Sequence, residues 1–329
     1  MFLNYIEVCS GCGGLSTGLE RAGFQPILLL DNDKNCVKTL KTNKPNVNVQ
    51  LGDMRKLSLV PYKNNLSLLA GGIPCQSFSQ AGKREGLEDD RGKLMIDFSR
   101  LITESLPDCF LIENVQGLVT HEKGKTLDNL KNILSCNGKY CIYHKVLNAN
   151  DFGVAQKRKR VFIVGFLAEK YIRPFNFPQE LDYKPTLKDV LNNCPESVGM
   201  SYSENKRKIM ELVPPGGCWI DLPEEIKLQY LGSSINSGGG KRGVARRLSM
   251  DEPSLTLTTS PSQKQTERCH PNETRPLTVR EYARIQSFDD TYQFEGSILS
   301  QYKQIGNAVP PLLAYHVGKA IYNYLSSVN

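Results

Sequence analysis

Between residues 5 and 165 the chain alternates short apolar runs with stretches whose apolar residues recur at helical spacing. No feature constrains the fold more, because a mostly parallel sheet covered by helices on both faces is what buries such a rhythm. The expected strands are 5–9, 26–30, 47–51, 66–70, 109–112, 141–147 and 160–166, and the expected helices are 15–22, 34–42, 93–105 and 126–135. Beyond Phe166 the texture changes to prolines at 174, 178, 185, 195, 214 and 215 and the run Gly238-Gly239-Gly240. That change predicts a smaller, loop-rich domain over 171–300, while 1–170 and 301–329 form the first domain. After Pro310-Pro311, residues 312–325 read as an amphipathic helix. The 329 residues leave room for about two domains.

Polar groups gather where the strands end. Ser10-Gly11-Cys12-Gly13-Gly14 follows the first strand and opens a helix, where glycines let a ligand approach backbone N–H groups. Asp31 ends the second strand, placed to accept ribose hydroxyls, and Asp53 follows the third, placed to read an adenine amino group. The full G-x-G-x-x-G is missing, which points to an adenosyl rather than a nicotinamide cofactor. Cys9 and Cys12 also form C-x-x-C, a redox or half-zinc pattern, but a second such pair is missing and the four histidines show no ligand spacing. No metal is expected.

The fourth strand leads into Gly71-Gly72-Ile73-Pro74-Cys75-Gln76, a thiol on a rigid turn with polar flanks. The fifth strand ends in Glu113-Asn114-Val115, a carboxylate emerging from an apolar run, where desolvation favours its protonated form. A thiolate beside a carboxylic acid is the pair needed to add sulfur across the C5–C6 bond of a pyrimidine while a ring nitrogen is protonated. In Lys157-Arg158-Lys159-Arg160, strand alternation would send both arginines to one face. Residues 76–92, with three glycines, read as a loop closing over a bound base.

Together these residues resemble the DNA (cytosine-5) methyltransferase family of bacterial restriction-modification type, in that family's motif order from about residue 5 to 319. Thr278-Val279-Arg280-Glu281 and Gly306-Asn307-Ala308-Val309-Pro310 match its later elements, whereas Glu7, Cys9 and Asn32 depart from its usual residues. The resemblance implies an S-adenosylmethionine-dependent, Rossmann-like catalytic domain and a target-recognition domain over 171–300. It implies catalysis by Cys75, Glu113, Arg158 and Arg160. It implies S-adenosylmethionine held by Cys9, Ser10, Gly11, Gly13, Gly14, Leu15, Asp31, Asn32, Asp53, Met54, Gly72, Pro74, Leu94, Asn307 and Val309. By type and location, Gln76, Ser79, Arg91, Arg242, Arg246, Arg247, Lys264 and Arg268 are the expected DNA contacts.

The implied reaction is methylation of a flipped-out cytosine in double-stranded DNA, protecting sites cut by a cognate restriction endonuclease that forms no stable complex with this protein. A transfer-RNA methyltransferase is the alternative, although the Cys-Phe-Thr tripeptide of that branch is missing from the variable region. A nicotinamide oxidoreductase would leave Cys75, Glu113 and the arginines without a joint task, and a non-catalytic DNA-binding protein would transfer no methyl group. A net charge of +7 suits a polyanionic partner. With no signal-peptide pattern, no membrane-length apolar run and ten scattered cysteines, the expectation is a monomeric cytoplasmic protein associated with the bacterial nucleoid.

Overall fold

The computed structural model describes residues 2–73, 90–171, 173–232 and 243–327, with 90–93 described by backbone alone. Its strands are β1 (Asn4–Val8), β2 (Gln25–Asp31), β3 (Val49–Leu51), β4 (Leu68–Gly71), β5 (Cys109–Val115), β6 (Tyr140–Asn148), β7 (Gln156–Lys157), β8 (Lys159–Leu167) and β9 (Ser254–Leu255). The helices are α1 (Gly14–Ala22), α2 (Lys34–Asn43), α3 (Asp90–Ser105), α4 (Gly117–Thr120), α5 (Lys125–Leu134), α6 (Leu187–Leu191), α7 (Glu204–Glu211), α8 (Glu224–Leu231), α9 (Val279–Ile285), α10 (Ile298–Asn307) and α11 (Pro311–Ser326).

Seven strands form one sheet in the order β3-β2-β1-β4-β5-β8-β6. The pairs from β3 through β5 are parallel, and β8 runs antiparallel to both β5 and β6, so β8 alone is reversed. This is the expected mostly parallel α/β sheet. Its central strands are nearly continuous apolar runs because helices cover both faces, and every residue of β4 is buried. Helix ends follow local chemistry. Asp33 caps α2 by accepting from the N–H groups of Asn35 and Cys36, and Pro310-Pro311 opens α11 where a missing N–H costs nothing.

The chain divides into two compact units. The first comprises 1–152, 159–182 and 308–329, and the second 153–158 and 183–307. These bounds differ from 1–170, 171–300 and 301–329, for reasons legible in the contacts. Residues 171–182 stay with the sheet because Tyr171, Phe175 and Tyr324 close around Phe166, with ring centroids 4.4–5.9 Å from it. Residues 301–307 continue α10, which a cut at 301 would sever. Residues 153–158 join the second unit through the parallel pairing of β7 with β9. The second unit has an apolar cluster of its own in Met210, Val213, Leu222, Ala245 and Cys269. Among the described residues, no helix is long and apolar enough to cross a membrane.

Candidate active site

Parallel register brings the carboxyl ends of five strands of the first unit into line. Val8 lies opposite Leu30 and Gly71, Gly71 opposite Ile112, and Asp31 opposite Leu51. The residues that follow, 9–14, 32–33, 52–54, 72–73 and the end of β5, therefore meet at one edge of the sheet, where open α/β sheets hold ligands.

The turn after β1 is wound left-handed at three positions, Cys9 (φ 52°), Gly11 (φ 54°) and Gly13 (φ 88°). Cys9 bears the conformation without being glycine, at a cost of about 1–2 kcal/mol. Gly13 caps α1 without any side-chain hydrogen bond, so no side chain at the N-cap satisfies the first N–H groups of that helix. A Cβ on Gly11 would meet nothing within 4 Å, whereas one on Gly14 would lie 2.2 Å from the carbonyl of Val309. Open space lies over the turn, and close packing lies behind it. Ser10 is occupied within the turn, its hydroxyl donating to the Glu7 carbonyl at 3.0 Å, and Leu15 is buried in the core.

Asp31 is buried and holds the turn from the second strand, accepting from Gly11 N–H at 2.7 Å and Asp33 N–H at 2.8 Å. Burial pushes its carboxyl above the usual range, and those backbone donors oppose the shift. Each oxygen keeps acceptor capacity for a hydroxyl. Asn32 is exposed beside it. Asp53 is gripped by the Arg55 guanidinium at 2.6 Å, which holds its carboxyl below the usual range. Met54 is buried, with its sulfur 3.5 Å from Cys9 Sγ, whose thiol burial pushes up to about 12. Gly72 and Leu94 are half-buried and Val309 is buried. Asn307, the exposed last residue of α10, belongs to the second unit.

At the end of β5, Glu113 is buried with one oxygen 3.0 Å from Arg160 Nε, reached from the antiparallel neighbour β8. The carboxyl that the sequence placed in an apolar run thus has a cation beside it. Burial pulls the Arg160 guanidinium down, with Glu113 opposing. Asn114 Nδ2 donates to the Ile73 carbonyl at 2.9 Å, tethering the chain just before Pro74-Cys75. A Cβ on Gly72 would stand 3.9 Å from Glu113 Oε2. Pro74, Cys75, Gln76, Ser79 and Arg242 lie outside the described residues, as do positions 76–89 of the expected closing loop, and Arg91 is described by backbone alone.

Three arginines expected at catalytic or DNA-contact positions are engaged with backbone inside the second unit. Arg158 is buried in the second unit and donates to the carbonyls of Leu257 at 3.2 Å and Gly306 at 2.9 Å. Within that unit it acts as a strut between two carbonyls. Arg247 is buried and donates to Met210 O and Thr274 Oγ1, and Arg268 is buried and donates to Glu267 O and Thr256 O. Irregular backbone must satisfy its carbonyls somewhere, and these buried guanidinium groups serve that need. Arg246 lies 3.8 Å from Glu252, and Lys264 is exposed, donating to Tyr230 O and lying over its ring. Sequence reasoning also passed over the Asn114 tether, whose only signal was its place in Glu113-Asn114-Val115, and the ion pair of Lys206 with Glu267, which has no spacing signal at all. Among the described residues, no group of three or more His, Cys, Asp or Glu is arranged to hold a metal.

The model of the C-5 cytosine-specific DNA methylase family matches residues 3–323. The chain is 49% identical over 332 residues to the Type II methyltransferase M.Sau96I of Staphylococcus aureus, covering 99% of this chain and 77% of that protein. It is 48% identical over 334 residues to the Type II methyltransferase M.Eco47II of Escherichia coli, covering 98% and 80%. Among solved structures, a candidate DNA modification methyltransferase encoded within an E. coli prophage superposes with a TM-score of 0.73 at 26% identity, over 98% of this chain and 99% of that one.

Proposed function

The chain belongs to the C-5 cytosine-specific DNA methylase family, and from that premise we propose how its own residues carry methyl transfer to cytosine in double-stranded DNA. It is a DNA (cytosine-5) methyltransferase. S-adenosylmethionine, the methyl donor of methyltransferases generally, supplies an electrophilic sulfonium methyl group when bound. The residues after β1 and β2 fit that cofactor. Open space over Gly11 and the uncapped start of α1 suit its carboxylate, and Asp31 suits its ribose hydroxyls. Met54 and Cys9 offer a soft apolar wall, while Asp53 must share its carboxylate with Arg55.

The observation that carries the chemistry is the pairing of the buried Glu113 with the half-buried Arg160 beside Gly72, three residues before Cys75. C6 of cytosine is out of reach inside the base stack, so the target base is extruded at a cost of about a few kcal/mol. The Cys75 thiolate then bonds to C6. Glu113, which enters the step as the neutral acid, delivers its proton to N3 and is oriented by Arg160, which also holds O2, so that electron density moves to C5. C5 takes the methyl group that the bound donor supplies; water then takes the C5 proton as the C6–S bond breaks, and N3 returns its proton to Glu113, which restores the ring, the thiolate and the acid.

The second unit reads the target sequence, with Lys264, Arg246 and, beyond the described residues, Arg242 as contacts, while the first unit adds Arg91 from the start of α3 and, beyond the described residues, Gln76 and Ser79. The relatives are named Type II methyltransferases, which supports a protective role beside an endonuclease that cuts the same site without a stable complex, the enzyme acting as a monomer. The test is an oligonucleotide bearing 5-fluorocytosine at the methylated position. Wild type with its donor is expected to form a denaturant-resistant adduct. Cys75→Ser should form none and transfer no methyl while still binding cofactor, and normal turnover by Cys75→Ser would sink the scheme.

A further inference from the structure

Residues 256–266 contain no helix or strand, yet long polar side chains of the second unit pin their backbone. Arg268 donates to Thr256 O at 2.7 Å, and Arg158 to Leu257 O at 3.2 Å. Gln156 Oε1 accepts from Leu257 N–H at 3.0 Å, and the Tyr282 hydroxyl serves both the N–H and the carbonyl of Thr258. Lys206 reaches from α7, its Nζ 3.1 Å from Ser262 O and 2.7 Å from Oε1 of the fully buried Glu267. The same ammonium lies over the Tyr202 ring at 5.0 Å, and Glu267 N–H donates to Gly243 O at 2.9 Å. On the outward side Thr259, Gln263, Lys264 and Gln265 are exposed.

A buried ion pair gains little stability over apolar residues of the same volume, since both charges leave water. What this pair supplies is geometry. One ammonium joins α7, the Ser262 carbonyl and the base of the turn, and so removes alternatives otherwise open to a segment without regular structure. We propose that the Lys206–Glu267 pair positions the outward turn 259–265 in the single conformation that discriminates the target sequence. The proposal rests on the reading above that the second unit contacts DNA. Loss of Lys206 is survivable, because burial already pushes the Glu267 carboxyl up and the group can remain inside as a neutral acid. The turn would then keep its fold and lose its register.

Lys206→Met, Glu267→Gln and the conservative Lys206→Arg are compared on oligonucleotides carrying the site that wild type prefers and on those differing by one base pair. The first two are expected to lose about tenfold in the ratio of kcat/KM between preferred and altered sites, with Lys206→Arg restoring most of it. A merely structural role would slow every site alike, and a ratio within about twofold of wild type overturns the proposal. Should Lys206→Met fail to fold, Glu267→Gln, which keeps the side-chain shape, carries the test. Lys264→Ala separates the two layers. If it binds duplex as wild type does, the DNA reading fails for this turn. If it binds more weakly with a smaller salt dependence while the Lys206→Met ratio stands, only the positioning role fails.

Discussion

Single side chains in this protein are assigned by what they can reach, and His270 illustrates the consequence. Its Nδ1 accepts from the N–H groups of Asn272 and Glu273 at 3.2 and 3.1 Å, so the ring proton sits on Nε2, 3.6 Å from Glu281. Glu273 stands 3.7 Å from Nδ1, and Arg275 and Arg247 oppose protonation from the other side. Burial, the largest influence, pulls this imidazole below its ordinary value. The unfolded chain therefore takes up the proton first, near pH 6.5. Stability from the neutral ring is present above that pH and is lost as pH falls towards the lower folded value, at about 1.4 kcal/mol per unit of pKa difference. Thermal melts from pH 7 to 5 should fall more steeply for wild type than for His270→Asn, which keeps an acceptor but does not titrate. Parallel curves would contradict this assignment.

At the scale of elements, the sheet was legible because its central strands are nearly continuous apolar runs and several of them lead directly into polar residues or glycine turns. Expected and observed strands agree to within a few residues, and helix starts followed the glycine and aspartate signals. The approach of α1 to α11 was not legible, since nothing local marks two helices distant in sequence as neighbours. It depends on missing side chains. A Cβ on Gly18 would lie 2.3 Å from Ala314 Cβ and 2.6 Å from the Pro311 carbonyl. Gly18→Ala should therefore destabilise the first unit by about 1–3 kcal/mol, measured by urea unfolding, and should weaken cofactor binding through the turn that α1 begins. An unchanged midpoint would show that the helices separate without cost.

At the scale of the whole molecule, the excess of cations over anions and the exposed lysines of the second unit predict binding governed by phosphate contacts. Affinity for a duplex bearing the preferred site should fall with salt, the logarithmic slope being about −0.9 for each phosphate neutralised. A slope near zero in a titration across salt concentrations would remove the electrostatic basis for DNA recognition. The alternation of apolar runs, the glycine turn, Asp31, the Pro-Cys dipeptide and Glu113 were all written in the amino-acid order, because strand-end chemistry is local and periodicity reports burial directly. Which arginines are buried against backbone carbonyls was decided only by tertiary structure. Arg158, Arg247 and Arg268 carry the same charge on paper as any DNA contact, but irregular backbone in the second unit leaves carbonyls that must be satisfied from elsewhere in the chain. Long-range partners such as Arg268 with Thr256, or Lys206 with Glu267, arise from that need, and no spacing rule encodes it.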